Sequence, residues 1–140
     1  MKDFEFIDIT TADVAFVAYG KTLEEVFKNA ALAMFEVMIN TKLVEKKIER
    51  KILVEGHDLE SLMFAWLNEL LYYVDSENLA FSDFDIKINE KDFRLEAICK
   101  GEEIDPEKHE TRTVVKAATM HMMEVKKEND LWKARVILDI

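Results

Sequence analysis

Two segments of the chain carry apolar residues at helical spacing. The first follows Thr22, which together with Glu25 three residues later has the pattern of a helix N-terminal capping box. The second follows Asp58, another residue favoured at the N-cap. Apolar residues recurring every three or four positions give each helix one face that must be buried. These positions are Leu23, Val26, Phe27, Ala30, Ala31, Met34, Phe35 and Met38, and then Leu59, Leu62, Met63, Trp66, Leu67, Leu70, Leu71 and Val74.

Other segments alternate between apolar and polar residues, as strands with one buried face do. A turn near Asn129-Asp130 is expected to lead into the last strand. The pattern predicts an α+β fold: a single two-layer domain over residues 1–140, with two long amphipathic helices packed on a mostly antiparallel sheet of about seven strands. The strands are expected near residues 4–9, 14–19, 48–54, 84–89, 93–99, 115–126 and 132–140.

Composition and missing motifs argue against several functions. The net charge of −10 would repel RNA and DNA, so direct nucleic-acid binding is not expected. No apolar run reaches the roughly 18–20 residues that cross a bilayer, and no signal peptide is recognisable, so a cytoplasmic protein is expected. Cys99 is the one cysteine, which excludes an internal disulfide, and its apolar neighbours predict a place in the core. There is no glycine-rich phosphate loop.

The end of the last strand suggests a cation site. Alternation places Asp139 on the face opposite Trp132, away from the apolar core. A strand that holds Ile140 would keep its α-carboxylate near the Asp139 side chain, and two fixed negative groups repel unless a cation such as Ca²⁺ or Mg²⁺ lies between them. Asp13, in the turn between the first two strands, would supply a third carboxylate. A solvated chain end and an ordinary turn aspartate remain the alternatives.

A second group of candidates lies in the strand expected near residues 115–126. Lys116 is a charge among apolar residues, so it is a surface lysine, a cation near the acidic residues or a contact with a partner. His121 falls on the opposite side of an unbroken strand, where a structural sheet histidine and a base or ligand are both open. Met120, Met122 and Met123 suit either the core or an adaptable interface.

A series of short motifs in this chain resembles the archease family, small proteins that assist the RtcB-type RNA ligase of tRNA splicing. Each motif alone is weak, but their order and spacing are specific, and the match runs from about Phe4 to Ile140. The motifs are Thr11-Ala12-Asp13, residues 18–25, residues 29–35, residues 66–71, Gly101-Glu102, Val115-Lys116-Ala117, Thr119 with His121, and residues 136–140.

The resemblance implies a divalent metal site, typically calcium, at Asp13, Asp139 and Ile140, and a functional Lys116. It also implies an activator that is not itself an enzyme: the protein promotes guanylylation of the ligase from GTP, allows multiple turnover and sometimes broadens nucleotide use. The ligase would hold the GTP and the RNA. His121 is carried over as a further candidate for partner contact or activation.

One departure from the family pattern affects the first turn. The family turn usually reads Asp-His-Thr-Ala-Asp, whereas this chain has one more residue between its aspartates and no histidine, in Asp8-Ile9-Thr10-Thr11-Ala12-Asp13. A role for that histidine is therefore not carried over. Two other functions stay open: a stand-alone metal-dependent hydrolase that uses the same carboxylates with Lys116, and a general protein-binding module or chaperone that uses the methionine-rich segment.

Overall fold

The computed structural model describes residues 2–7 and 13–140. The predicted α+β class is confirmed, with two helices packed on antiparallel strands. The described residues form eight strands in two sheets, where one sheet of about seven was expected. The elements are β1 (Phe4–Ile7), β2 (Asp13–Gly20), α1 (Leu23–Met38), a 3₁₀ turn (Thr41–Leu43), β3 (Ile48–Glu55), α2 (Leu59–Glu77), β4 (Leu79–Asn89), β5 (Arg94–Glu103), β6 (Ala117–Ala118), β7 (Glu124–Glu128) and β8 (Leu131–Asp139).

The larger sheet is built around the last strand. Its order is β1-β2-β8-β6, and β7 pairs with β8 on the same side as β6. The smaller sheet has the order β3-β5-β4. All of these pairs are antiparallel. The end of β8 consequently has a neighbouring strand on each side.

The two helices join the sheets into one hydrophobic core. α1 contacts β2 and β8 of the larger sheet and β4 of the smaller one, so most of its circumference is buried. The indole of Trp66 in α2 is fully buried and donates a hydrogen bond to the carbonyl of Phe27 in α1, at 3.1 Å. This bond satisfies the one polar group that the large side chain brings into the core.

The predicted helix N-caps are present, with one difference. The Thr22 hydroxyl accepts a hydrogen bond from the N–H of Glu25 at 3.1 Å, but the Glu25 carboxylate accepts from the N–H of Lys21 and not from that of Thr22. Asp58 and Ser61 form a complete capping box at the start of α2. Each cap satisfies N–H groups that have no partner within the helix.

The strand expected near residues 115–126 is wrong as a single element. Six positions separate Ala118 from Glu124, whereas three separate their partners Leu138 and Arg135 on β8. The extra residues leave the sheet in a turn at His121 and Met122, where Met122 has a positive φ of 54°. The segment therefore forms two short strands, β6 and β7, on one side of β8.

The turn predicted at Asn129-Asp130 is confirmed. Both residues have positive φ angles, 53° and 63°, the backbone that a two-residue hairpin turn requires. Glu128 and Leu131 close the hairpin between β7 and β8. Of the first predicted strand, residues 4–7 form β1, and the end predicted at Ile9 lies outside the described residues. Neither described helix combines the length and the apolar character needed to cross a membrane.

Candidate functional site

The register of the larger sheet places the two aspartates of the predicted metal site opposite each other. Asp13 is the first residue of β2 and pairs directly with Asp139, the last residue of β8. Direct partners in an antiparallel ladder have side chains on the same face, with Cβ atoms about 4.5–5.5 Å apart. We refer to Asp13, Asp139 and Ile140 as the acidic tip.

Asp139 of the acidic tip lies on the side of the sheet opposite the core. Val136 and Leu138 of β8 belong to the core, whereas Asp139 is exposed, as the alternation predicts. Asp13 is half-buried. Ala15 and Ile137 are also paired on the outer face and are almost completely buried. The two aspartates thus border an apolar pair of residues in the same ladder.

Ile140 continues the alternation of β8. Its side chain is half-buried and packs against the core, on the side of Leu138 and opposite Asp139. This packing restrains the main chain directly after Asp139. The role of the Ile140 α-carboxylate as a ligand stays a prediction.

The donor set of the acidic tip suits a hard cation. Carboxylate oxygens are the ligands that Ca²⁺ prefers, and Ca²⁺ takes 6–8 oxygen ligands in flexible geometry. Within residues 2–7 and 13–140, no group of three or more His, Cys, Asp or Glu side chains is gathered in a way that could hold a metal. The described tip offers two aspartate side chains, and the third carboxylate expected from the sequence, that of Ile140, stays a prediction.

Lys116 lies next to the acidic tip through its main chain. Its N–H donates a hydrogen bond to the Asp139 carbonyl at 2.8 Å, and the following residue, Ala117, is the ladder partner of Asp139 on the side opposite Asp13. The Lys116 side chain is exposed and forms no ion pair with a described residue. Asp139 is therefore held between β2 and β6, and the exposed Lys116 directly precedes β6.

His121 is not in a sheet, so the alternative of a structural sheet histidine is wrong. It lies exposed in the turn between β6 and β7, because the strand in which it was expected is interrupted there. Met120 and Met122 flank it, and their side chains are 48% and 47% exposed, whereas Met123 is half-buried against the core. Val114, on the other side of Lys116, is 76% exposed. The prediction that His121 contacts a partner remains a prediction.

An ion pair lines the same cleft as Asp13. The guanidinium of Arg112 binds the Glu36 carboxylate at 2.7 Å and the Glu36 carbonyl at 2.8 Å, and it also binds Glu110. Burial would raise the pKa of Glu36, but hydrogen bonds from Thr41 and Arg112 outweigh it and lower that pKa. Asp13, Glu36 and Arg112 line one cleft of about 370 Å³. Arg112 is engaged by α1 and Glu110, so its charge is already largely neutralised.

The sequence pattern did not predict a polar cluster formed by Glu102, Lys108 and His109, in which Glu102 and His109 are buried. The Glu102 carboxylate is buried and binds the Lys108 ammonium at 2.9 Å and the main-chain N–H of Glu45. His109 is also buried; its Nδ1 accepts from the Asp105 N–H, and its Nε2 lies 3.1 Å from Glu102 without regular hydrogen-bond geometry. Burial would raise the pKa of Glu102, but these bonds lower it to about 2. The cluster fastens the 105–109 loop to β5.

Cys99 packs in the core as predicted. It is fully buried, and burial followed by the charge of Asp83 raises the pKa of its thiol to about 12. A thiol with this pKa is not a nucleophile near neutral pH. The turn that departs from the family pattern, Asp8 to Ala12, lies outside the described residues.

Comparisons with known proteins agree with the motifs and the fold. The model of the Archease protein family matches residues 4–140. "Protein archease" of Methanothermobacter thermautotrophicus is 55% identical over the full length of both chains, and that of Pyrococcus furiosus is 48% identical over 93% of this chain and 94% of its own.

Two solved structures show the same fold. The solution structure of Methanobacterium thermoautotrophicum protein 1598 is 55% identical, covers 100% of both chains and superposes with a TM-score of 0.87. The crystal structure of an archease, possible chaperone, from Thermotoga maritima covers 94% of this chain and 93% of its own, with 21% identity and a TM-score of 0.65. Because the family model matches residues 4–140 and a relative with 55% identity matches this chain from end to end, the chain belongs to the archease family.

Proposed function

We propose that the protein activates an RtcB-type RNA ligase of tRNA splicing by promoting its guanylylation from GTP, and that it is not itself an enzyme. The observation that supports this proposal best is the register that pairs Asp13 with Asp139 on an exposed face, with Lys116 at the start of the neighbouring strand. This arrangement offers charged groups of both signs at one end of the sheet. Membership in the archease family supports this choice of partner, which the family resemblance implies.

The carboxylates of Asp13, Asp139 and Ile140 would hold a Ca²⁺ ion, with Mg²⁺ as the alternative. The ion would neutralise groups that otherwise repel each other and would stabilise the end of β8 against β2. The chain's own residues position these oxygens: the β2–β8 ladder sets the distance between the aspartates, and core packing of Ile140 restrains the last residue.

The ligase, and not this protein, would bind GTP and RNA. The chain carries 29 acidic and 19 basic residues and lacks a glycine-rich phosphate loop, so it is suited to contact with a basic protein surface rather than with phosphates. In this division of work the protein favours the arrangement of the ligase that accepts the guanylyl group. A cytoplasmic location belongs to the same proposal.

Multiple-turnover RNA joining tests this function. The cognate ligase is assayed with GTP, with and without substoichiometric amounts of the protein, and the product per ligase is measured. We expect well over one equivalent of product only when the protein is present. Asp13→Ala and Asp139→Ala should lose this activation while Asp75→Ala, which removes an exposed carboxylate of α2, should keep it.

The outcomes separate the parts of the proposal. Unchanged joining with the wild-type protein would refute activation, even if the two proteins bind each other. Full activation by both tip variants would refute the role of the acidic tip. Thermal unfolding of each variant establishes that a loss is not caused by misfolding.

A second candidate, a general protein-binding module or chaperone, is supported by the exposed apolar side chains of Val114, Met120 and Met122. Exposed methionines adapt to partners of different shape. This function predicts binding to many unfolded client proteins without dependence on Ca²⁺. Activation of one ligase alone would argue against it.

A further inference from the structure

Helix α2 packs along one edge of the larger sheet and forms hydrogen bonds with its main chain. β6 and β7 are the outer neighbours of β8 on that side, and two side chains of α2 bind their main chains. Asn68 binds Ala118 in β6, and the Glu60 carboxylate accepts a hydrogen bond from the Val125 N–H in β7 at 2.9 Å. Main-chain groups that would otherwise be unpaired at a sheet edge are thus satisfied by the helix.

Two hydrogen bonds join the Asn68 side chain to the main chain of Ala118. The Ala118 N–H donates to Oδ1 of Asn68 at 3.0 Å, and Nδ2 of Asn68 donates to the Ala118 carbonyl at 3.1 Å. A primary amide carries a donor and an acceptor side by side, so it pairs with a strand residue much as another strand would. Nδ2 also donates to the Phe64 carbonyl at 3.0 Å, which holds the amide in one orientation on the helix.

Ala118, which Asn68 binds, directly follows Ala117, the ladder partner of Asp139. β6 has only two residues, Ala117 opposite Asp139 and Ala118 opposite Leu138. The residues on either side of β6 also bind β8: the Lys116 N–H donates to the Asp139 carbonyl at 2.8 Å, and the N–H and hydroxyl of Thr119 donate to the Ile137 carbonyl at 3.0 and 2.9 Å. A strand this short has few bonds of its own, so the contact with Asn68 is a substantial part of what fixes its position.

We propose that Asn68 is a positioning residue for the acidic tip: its amide fixes β6 against β8 and thereby places Lys116 beside the Asp13–Asp139 pair. Glu60 instead fixes β7 against β8. The pairing of β7 with β8 begins at Arg135, four residues before Asp139. The two anchors therefore act on different parts of β8. The consequence for ligase activation rests on the proposed function, whereas the consequence for β6 does not.

The test compares Asn68→Ala and Asn68→Asp with Glu60→Ala as the matched control. Ala removes both parts of the bond, and Asp replaces the donor Nδ2 by an oxygen facing the carbonyls of Ala118 and Phe64. Amide hydrogen exchange and amide chemical shifts are measured by NMR. Asn68→Ala should speed exchange at Ala118 at least tenfold, because it removes the acceptor of that N–H. Both Asn68 variants should shift the amide signals of Lys116 and Asp139, whereas Glu60→Ala should speed exchange at Val125 and leave Ala118 as in the wild type.

The same variants are then titrated with Ca²⁺ alone and assayed with the ligase. We expect Asn68→Ala to weaken Ca²⁺ binding at least fivefold and to raise the protein concentration that gives half-maximal activation, with less than a twofold change for Glu60→Ala. A role in general stability would instead lower the unfolding midpoint and speed exchange throughout the sheet.

Unchanged exchange at Ala118 in Asn68→Ala would overturn the proposal. Faster exchange there with unchanged signals for Lys116 and Asp139 would overturn the link from β6 to the acidic tip. If the wild-type protein does not activate the ligase, the proposed function fails, and the exchange and chemical-shift results still decide the role of Asn68.

Discussion

Asp13 and Asp139 are direct partners in the β2–β8 ladder, so two acidic side chains share the outer face of the sheet without a basic residue opposite either of them in that ladder. Ala117, the partner of Asp139 on the other side, carries no charge. Like charges placed directly opposite each other destabilise a pair of strands. The arrangement is therefore one that a bound cation would stabilise.

The first prediction concerns stability in the presence of Ca²⁺. At a Ca²⁺ concentration about 100 times the dissociation constant, binding to the folded chain alone should add about 2.7 kcal/mol to its free energy of unfolding. Asp139→Asn should lose most of this gain. In EDTA the same variant should be as stable as the wild type or more stable, by roughly 0.2–1 kcal/mol, because the repulsion with Asp13 is removed. Urea unfolding in EDTA and in Ca²⁺ measures both effects.

Asp75→Asn is the matched control, since it removes an exposed carboxylate from α2, outside the larger sheet. It should respond to Ca²⁺ as the wild type does. Equal stabilisation of Asp139→Asn and the wild type by Ca²⁺ would show that the acidic tip does not hold the ion.

The exposed position of Asp139 was accessible from sequence because the last strand alternates clearly, whereas the closeness of Asp13 to Asp139 was expected through the family resemblance and not from alternation. The break between β6 and β7 was not accessible, because apolar residues continue through the segment and only the register of the partner strand β8 shows where residues leave the sheet. The role of Asn68 was hidden for a related reason: its partner Ala118 lies 50 positions away in the chain. Alternation shows which face of a strand is buried, but not which strands pair, so two sheets could not be distinguished from one.

The second prediction concerns acid stability. The pKa of Glu102 is lower in the folded chain, at about 2, than its usual value of 4.5, because its bonds to Glu45 and Lys108 outweigh the effect of burial. The folded state is therefore stabilised fully above pH 4.5, and this stabilisation is lost as the pH falls from there toward 2. A shift of this size corresponds to up to about 3 kcal/mol. Urea unfolding between pH 7 and pH 2.5 measures the loss.

Glu102→Gln should be less stable than the wild type at pH 7 and should lose less stability on acidification. Glu77→Gln is a suitable comparison because Glu77 forms an ion pair with Arg50 at the surface, where solvent screens the charges. It should change stability little at either pH. A Glu102→Gln variant with the same acid dependence as the wild type would contradict the assignment.

The third prediction separates the side chain of Lys116 from its main chain. Lys116→Ala keeps the N–H that bonds to Asp139, so β6 and Ca²⁺ binding should be unchanged. Activation of the ligase should fall about tenfold, equivalent to about 1.4 kcal/mol, if the ammonium contacts the partner. Lys87→Ala, on an exposed position of the smaller sheet, should activate like the wild type. Equal losses in both variants would indicate a general effect of charge and not a contact of Lys116.

The fourth prediction distinguishes a specific activator from a general chaperone. Met120 and Met122 lie in the turn between β6 and β7 and present about half of their side chains to solvent. If this turn contacts the ligase, the double variant Met120→Ala/Met122→Ala should raise the protein concentration for half-maximal activation about tenfold, because two apolar contact side chains are truncated. The plateau of activation should stay the same, since the acidic tip is intact.

Leu53→Ala is the control for that variant, because Leu53 is 57% exposed but belongs to the smaller sheet. It should leave the ligase assay unchanged. The wild type, the double variant and Leu53→Ala are then compared for their ability to prevent aggregation of an unrelated heat-denatured client protein. A chaperone that uses the methionines would lose this ability in the double variant while its effect on the ligase stayed constant. Loss of ligase activation without any effect on the client would instead identify the turn as a specific contact, because an adaptable apolar surface does not by itself select one partner.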